Sequence, residues 1–249
     1  IIQTDCSNAF NTGKRTAIMA QVAKGLPDLV GYIARSYDEI PATAVYEMDS
    51  GERRTIECTS GVQQGDGMGP PLFSLILVPI VLKLQEKYEP LGVSFKAYMD
   101  DITSHLKALT EESVQAMTDL ISELDKVGIV VNRAKSSALP PPGHVITEEQ
   151  RRLLEGVGLT VAGEGITVVG VPIGTDDYVK EFAMKVIAEG GADELARILP
   201  RMSDRRQVAN LITSLSLIQR SAYIERGIDP ALTKEACERL DNMVQWALE

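Results

Sequence analysis

Asp5 closes a short, mostly apolar run, Ile1-Ile2-Gln3-Thr4, and Asp100 and Asp101 stand side by side between Phe95-Lys96-Ala97-Tyr98-Met99 and Ile102. Both places read as strand ends, where a rigid backbone presents carboxylates at the rim of an apolar core. A fold that uses them together must align two strands that are remote in sequence. Clustered carboxylates repel one another and stay ionised only where cations neutralise them. Magnesium suits such a cluster, because it takes hard oxygen ligands and is commonly held by one or two carboxylates together with substrate phosphates. Two such ions roughly 3.5 to 4 Å apart stabilise both the attacking and the leaving oxygen of an in-line displacement at phosphorus. Asp5, Asp100 and Asp101 are therefore the candidate metal ligands, with Asp101 accessory, for two Mg2+ ions or for Mn2+ in their place.

Composition bounds what such a site can serve. The chain has 249 residues, 44% of them hydrophobic, enough for one large domain with a small helical appendage and a sizeable core. Lysine and arginine number 25 against 35 acidic residues, for a net charge of -10, and neither residues 1–174 nor residues 175–249 are net basic. Phosphate binding draws most of its affinity from cationic side chains, so weak nucleic-acid binding is expected of this acidic chain. Cys6, Cys58 and Cys237 are too few and too dispersed for a disulfide framework or a zinc cluster, and His105 and His144 lack ligand partners nearby in sequence. A reducing, intracellular setting is expected, in nucleus or cytoplasm. The best apolar stretch, Leu72 to Leu84, is broken by Pro79 and runs into charge, so no membrane span is expected. The chain opens inside a strand-like run, which suggests a domain that begins upstream.

Local patterns give an element order. Lys14 to Lys24 has apolar residues at helical spacing and stops at Gly25 and Pro27, and a second helix covers Pro27 to Tyr37. Ala42 to Met48 and Arg53 to Thr59 are strand-like around Asp49-Ser50-Gly51-Glu52, a hairpin signal. A glycine-rich turn from Gly61 to Gly69 leads into an apolar helix over Pro71 to Lys87. Ser94 to Met99 and Ile102 to Leu106 form a hairpin that turns at the paired aspartates. Glu111 to Val127 is an amphipathic helix capped by Thr110, and Ile129 to Val131 is a strand. Thr147 and Gln150 make a capping box, and Gly163 to Gly174 reads as a hairpin. Helices follow at Val179 to Gly190, Ala192 to Leu199, Asp204 to Arg226 and Pro230 to Leu248, the last opened by Asp229-Pro230. The order predicts an α+β fold, with a mixed, largely antiparallel sheet packed by helices over residues 1–174 and a small helical bundle over 175–249.

Five segments then fall in a telling sequence. They are Asp5-Cys6-Ser7-Asn8-Ala9-Phe10-Asn11, Gly61-Val62-Gln63-Gln64-Gly65-Asp66 with Pro71-Leu72-Phe73, Tyr98-Met99-Asp100-Asp101, Leu124 to Ser136, and Val168 to Gly174. Together they resemble the palm and thumb of a reverse transcriptase, nearest to the types in non-LTR retroelements and group II introns. The resemblance implies a polymerase palm over residues 1–174, with the fingers largely absent, and a thumb-like region over 175–249. It also implies an RNA-directed DNA polymerase that adds deoxynucleotides to a DNA primer 3′-hydroxyl on an RNA template, using dNTP and Mg2+.

The same resemblance implies residue roles. Asp5, Asp100 and Asp101 would be catalytic metal ligands, and Lys135 would approach the leaving pyrophosphate as a charge or proton donor. Phe10 would set an aromatic ring where a 2′-hydroxyl would clash. Gln64 and Gly65 would lie against the nascent base pair, and Met99 beside the nucleotide. Val169, Gly170 and Val171 would form a primer grip, and Tyr98 would pack behind the aspartate hairpin. Lys14, Arg15, Arg53 and Arg54 are candidates to replace part of the missing fingers grip, and Arg197, Arg201, Arg205 and Arg206 to follow a duplex backbone. After Gln64-Gly65-Asp66 the chain reads Gly67-Met68-Gly69-Pro70, where the family usually has Pro-Leu-Ser-Pro, so template contacts are the least transferable part. Two other readings stay open: an inactive or domesticated scaffold, favoured by that departure and the net charge, and an RNA-dependent RNA polymerase. Met99 and Phe10 argue against the second, since those enzymes usually carry glycine before the paired aspartates and lack the aromatic gate.

Overall fold

The computed structural model describes residues 1–37, 42–187, 197–210 and 217–248. These form two compact units, Ile1–Val161 and Ala162–Glu249. The first begins with β1 (Ile2–Thr4), β2 (Cys6–Ser7), the single turn α1 (Ala9–Thr12), α2 (Arg15–Gly25) and α3 (Val30–Tyr37). It continues with β3 (Ala42–Glu47), β4 (Arg53–Cys58), α4 (Gly69–Tyr88), β5 (Val93–Tyr98), β6 (Asp101–Leu106) and α5 (Glu111–Lys126). It ends with β7 (Val130–Val131), β8 (Ser137–Ala138), α6 (Glu148–Gly156) and β9 (Thr160–Val161).

The main sheet has the order β5-β6-β1-β8-β9, with β8 and β9 parallel and the other neighbours antiparallel. The short β2 leaves this sheet to pair with β7, and β3 with β4 forms a separate hairpin. Strand β1 is therefore central, with Ile2 opposite Ser104 on one side and Ala138 on the other. The mixed, largely antiparallel sheet packed by helices is the α+β arrangement that the element order predicts. The strands β8 and β9 were not expected. Each is two residues long, too short for any alternation to show.

Burial explains the helices. Helix α5 sets Val114, Met117, Leu120 and Leu124 in the core along one face, and its Thr110 cap closes a reciprocal box with Ser113. The Thr147 and Gln150 box also forms at the start of α6. Helix α4 buries Leu72, Phe73, Ile76, Leu77, Ile80 and Leu84 in the same core. By length and composition Gly69–Leu91 is apolar enough to cross a membrane, which corrects the expectation drawn from Pro79 and the flanking charges. Pro79 sits inside the continuous α4, and the helix's apolar character fits the core it fills between α2, α5 and β5.

The second unit opens with the hairpin β10 (Gly165–Val168) and β11 (Val171–Gly174), then α7 (Asp176–Ile187), a 3-10 turn at Leu199–Arg201, α8 (Arg205–Asn210), α9 (Leu217–Gly227) and α10 (Pro230–Leu248). Val179, Ala183, Ile187, Leu199, Val208, Ile224 and Leu240 share its core. The break between units thus falls at Val161 to Ala162, ahead of the boundary expected after Gly174. The reason is packing: the ring of Tyr178 lies against Gly165 and the β11 strand rests on α7. Of the helix expected over Ala192 to Leu199, residues 192–196 lie outside the described residues, as do parts of the helices expected on either side.

One ion-pair cluster ties α4 to α5. The Asp119 carboxylate accepts from Lys87 Nζ at 2.6 Å, Tyr88 Oη at 2.7 Å and Gln115 Nε2 at 2.8 Å. Led by the Lys87 contact, these bonds hold Asp119 down at about 2. A depressed carboxylate stabilises the fold above its unfolded pKa and loses that contribution as pH falls toward the folded value. Asp119→Asn is expected to lower unfolding free energy by about 1 kcal/mol at pH 7, since the partners are partly exposed. Urea titrations at pH 7 and near pH 3 (about the middle of that window) should show the gap between the two proteins narrowing in acid, and an equal gap at both would contradict the cluster's role.

Candidate active site

Pairing of β1 with β6 places the acidic residues. The register runs from Ile2 opposite Ser104 to Thr4 opposite Ile102, so Asp5 and Asp101 each lie one step past the last pair, at the same end of the two strands. Asp101 itself pairs with Tyr98 across the hairpin, leaving Met99 and Asp100 as the turn. Met99 takes φ 54, and Asp100 is not among the left-handed residues. This is the first-position pattern of a type II′ turn, where glycine is usual, and it brings Asp100 to the hairpin tip.

The backbone of Asp5 is held on both sides. Its N–H donates to Ser136 Oγ at 3.0 Å, and its carbonyl accepts from Asn132 N–H at 2.8 Å. Ser136 Oγ donates in turn to the Asn132 carbonyl at 2.8 Å, and Ser136 is fully buried. The turn from Asn132 to Ser136 therefore serves as a socket for Asp5 and sets Lys135 beside it. Sequence reasoning assigned neither Ser136 nor Asn132 a part, because a serine that satisfies a remote backbone amide leaves no local signature.

Asp5, Asp100, Phe10, Gln64 and Lys135 line one open cleft of about 370 Å³, together with Ser7, Asn8 and Asn132. Asp101 and Met99 are half-buried next to it and do not line it, and Gly65 is exposed at φ 90 with open space where a Cβ would stand. Phe10 stacks on Phe73 of α4, ring centroids 4.7 Å apart and planes 14° apart, which fixes the ring from behind. Negative potential gathers here. Burial raises Asp101 above the ordinary carboxylate range, with Asp100 and then Asp5 adding to it. Burial likewise lifts the Cys6 thiol to about 12, reinforced by Asp100, Asp5 and Asp101.

Among the described residues no three His, Cys, Asp or Glu side chains converge closely enough to form a ready-made metal cage. Of the three carboxylates expected as ligands, Asp5 and Asp100 line the cleft and Asp101 does not. That donor set fits magnesium, which keeps waters and completes its shell on substrate phosphates.

Other expected residues have different surroundings. Tyr98 is 64% exposed rather than packed behind the hairpin: β5 buries Val93 and Phe95 but leaves Lys96, Ala97 and Tyr98 exposed at its turn end. Lys14 Nζ donates to the Lys126 carbonyl at 2.9 Å, and buried Arg15 donates to the Gly61 carbonyl at 3.1 Å. Arg53 and Arg54 pair with Glu47 and Glu52 on the exposed β3 and β4 hairpin. Arg15 is thus built into the core, while Lys14 stays on the surface. In the second unit, Val169 at φ 48 and Gly170 at φ 77 form the hairpin turn, and Tyr223 Oη donates to the Val169 carbonyl.

Residues 1–170 match the reverse transcriptase (RNA-dependent DNA polymerase) family, and the chain belongs to that family. The retrotransposable element SLACS 132 kDa protein of Trypanosoma brucei gambiense is 31% identical over 145 residues, covering 56% of this chain and 12% of that protein. Apo telomerase from Candida tropicalis, truncated from its C-terminal domain, shares the fold at a TM-score of 0.50 and 16% identity, over 70% of this chain and 33% of that one. Telomerase from Candida albicans, solved with a TWJ fragment of telomeric RNA, gives 0.50 at 10% identity over 99% of this chain and 44% of that one. The chain spans 12% of its curated relative and less than half of these telomerase chains.

Ser136→Ala tests the Asp5 socket. It removes the acceptor of a partly buried N–H and should lower unfolding free energy by about 1 to 3 kcal/mol. Denaturant titration reads this directly, and a change within error would show that Ser136 does not support Asp5.

Proposed function

We propose that this chain carries the nucleotidyl-transfer site of an RNA-directed DNA polymerase from a retrotransposable element, of the non-LTR or group II intron type. The observation that carries the proposal is the single cleft shared by Asp5 and Asp100 with Phe10, Gln64 and Lys135. Membership of the reverse transcriptase family and the likeness to a retrotransposable element protein support it. Residues 1–174 act as the palm and residues 175–249 as a thumb-like region. The substrates are an RNA template, a DNA primer and a dNTP.

Two bound Mg2+ ions would supply electrostatic stabilisation of the attacking 3′-oxygen and the leaving pyrophosphate. Asp5 and Asp100 would hold those ions, and Asp101, whose proton is retained more readily, would tune the charge of the pair. Lys135, exposed at the cleft wall, neutralises or protonates the departing pyrophosphate. Phe10, braced by Phe73, excludes a 2′-hydroxyl from the sugar position. Gln64 and Gly65 face the nascent base pair, where an amide reaches polar edges without bringing charge and a glycine permits the left-handed backbone. Met99 lies beside the nucleotide, and Val169, Gly170 and Val171 steady the primer. The net charge of -10 means that affinity for template and primer comes largely from other parts of the protein.

Two measurements test this reading. Calorimetric titration with Mn2+ should show Asp100→Asn binding roughly tenfold or more weakly than the wild type, and equal affinities would contradict a metal role. In primer extension by the full-length protein, Phe10→Ala should raise ribonucleotide over deoxynucleotide incorporation by about tenfold or more, the scale for relieving one group's clash in a pocket. An unchanged preference would remove Phe10 as the gate. Template-independent binding with no extension would favour the scaffold reading instead.

A further inference from the structure

We propose that Tyr37 and Arg15 are positioning residues, which hold the loop of residues 60–66 at both ends so that Gln64 stays presented to the cleft. The proposal rests on the polymerase reading of that cleft. The loop's entry is fixed to the first motif. Gly61 N–H donates to the Gly13 carbonyl at 2.8 Å, Val62 N–H to the Phe10 carbonyl at 2.6 Å, and Ser60 Oγ to the Asn11 carbonyl at 2.8 Å. Gly61 has φ 63, and a Cβ there would stand 2.2 Å from the Phe10 carbonyl oxygen, so the close approach needs glycine. Arg15, buried within α2, adds Nε to the Gly61 carbonyl at 3.1 Å and a longer contact to the Ser60 carbonyl.

The exit is fixed by Asp66. One of its carboxylate oxygens accepts from Met68 N–H at 3.0 Å, which shapes the entry to α4, and the other accepts from Tyr37 Oη. Tyr37 is buried at the end of α3, and its ring lies 5.6 Å from the Arg15 guanidinium, within cation-π range. One side chain therefore joins the two anchors. Burial and the Asp66 contact lift Tyr37 to about 12, so the hydroxyl keeps its proton near neutrality. Between the anchors, Gln63, Gln64 and Gly65 are exposed, and Gln64 lines both the carboxylate cleft and the adjoining cavity that Arg15 also lines. Where Gln64 points is thus decided by the ends of its loop.

Tyr37→Phe removes the hydroxyl while keeping the ring, and Asp66→Asn alters the partner. In the full-length enzyme each should raise the KM for dNTP about tenfold and leave kcat within about threefold, because Asp5 and Asp100 sit on other elements. The double variant should be no worse than either single one. Hydrogen exchange supplies a readout free of catalysis: amides of residues 65–68 should exchange about tenfold faster in Tyr37→Phe, with the global unfolding midpoint little changed. Unchanged exchange overturns the anchor, and faster exchange with an unchanged KM overturns its positioning role. If Asp100→Asn leaves extension intact while exchange responds, the polymerase reading of the cleft fails and the anchor stands. Should Tyr37→Phe unfold the chain, Asp66→Asn carries the same kinetic and exchange comparison alone.

Discussion

The antiparallel pairing of β1 with β6 is the constraint on which the rest depends. It is short, running from Ile2 to Thr4, yet it brings the start of the sequence beside the turn that holds Asp100 and Asp101. A slip of one residue would send Asp5 to the opposite face of the sheet. Register is secured by burial on one face, with Ile2, Thr4, Ile102 and Ser104 all inside, and by the socket in which Ser136 and Asn132 grip the backbone of Asp5. The polar cleft is built on a buried sheet face whose alignment leaves little freedom.

Left-handed backbone recurs where the functional reading places chemistry. The non-glycine residues at positive φ among those described are Asn8, Met99 and Val169. Asn8 opens the turn that carries Phe10, Met99 makes the aspartate hairpin, and Val169 makes the hairpin turn of the second unit. A β-branched residue such as Val169 is rarely found there, and its carbonyl is tied down by Tyr223. Such conformations persist where surrounding structure over-determines them. Asn8 is likewise held through its carbonyl, which accepts from the N–H groups of Asn11 and Thr12.

Much of this architecture is legible in the sequence, and the gaps have physical causes. Helix α5, its Thr110 cap, the two hairpins around Gly51 and Met99, and the opening of α10 after Asp229 all follow from periodicity and end signals, where local preference and tertiary packing agree. The strands β8 and β9 and the socket serine do not, because they exist only through partners far away in sequence. The exposure of Tyr98 has a similar origin: how far along β5 the core cover extends is set by tertiary packing, and it stops short of the turn. The boundary between the units depends on which side the hairpin after Gly165 packs, and Tyr178 decides that. Asp5, Phe10, Gln64, Asp100 and Lys135 could be singled out as a set through a family resemblance, while their common cleft is a property of the fold.

Membership of the reverse transcriptase family agrees with nucleotidyl transfer at a general level, and the proposed two-metal site rests on the carboxylates that line the cleft. Crystals soaked with Mn2+ and a non-extendable deoxynucleoside triphosphate, with data collected at the manganese edge, give the most direct trial. The account predicts two anomalous peaks roughly 4 Å apart, contacting Asp5 and Asp100 on the floor of the cleft. Nucleotide bound there without manganese, or manganese bound away from both carboxylates, would contradict it.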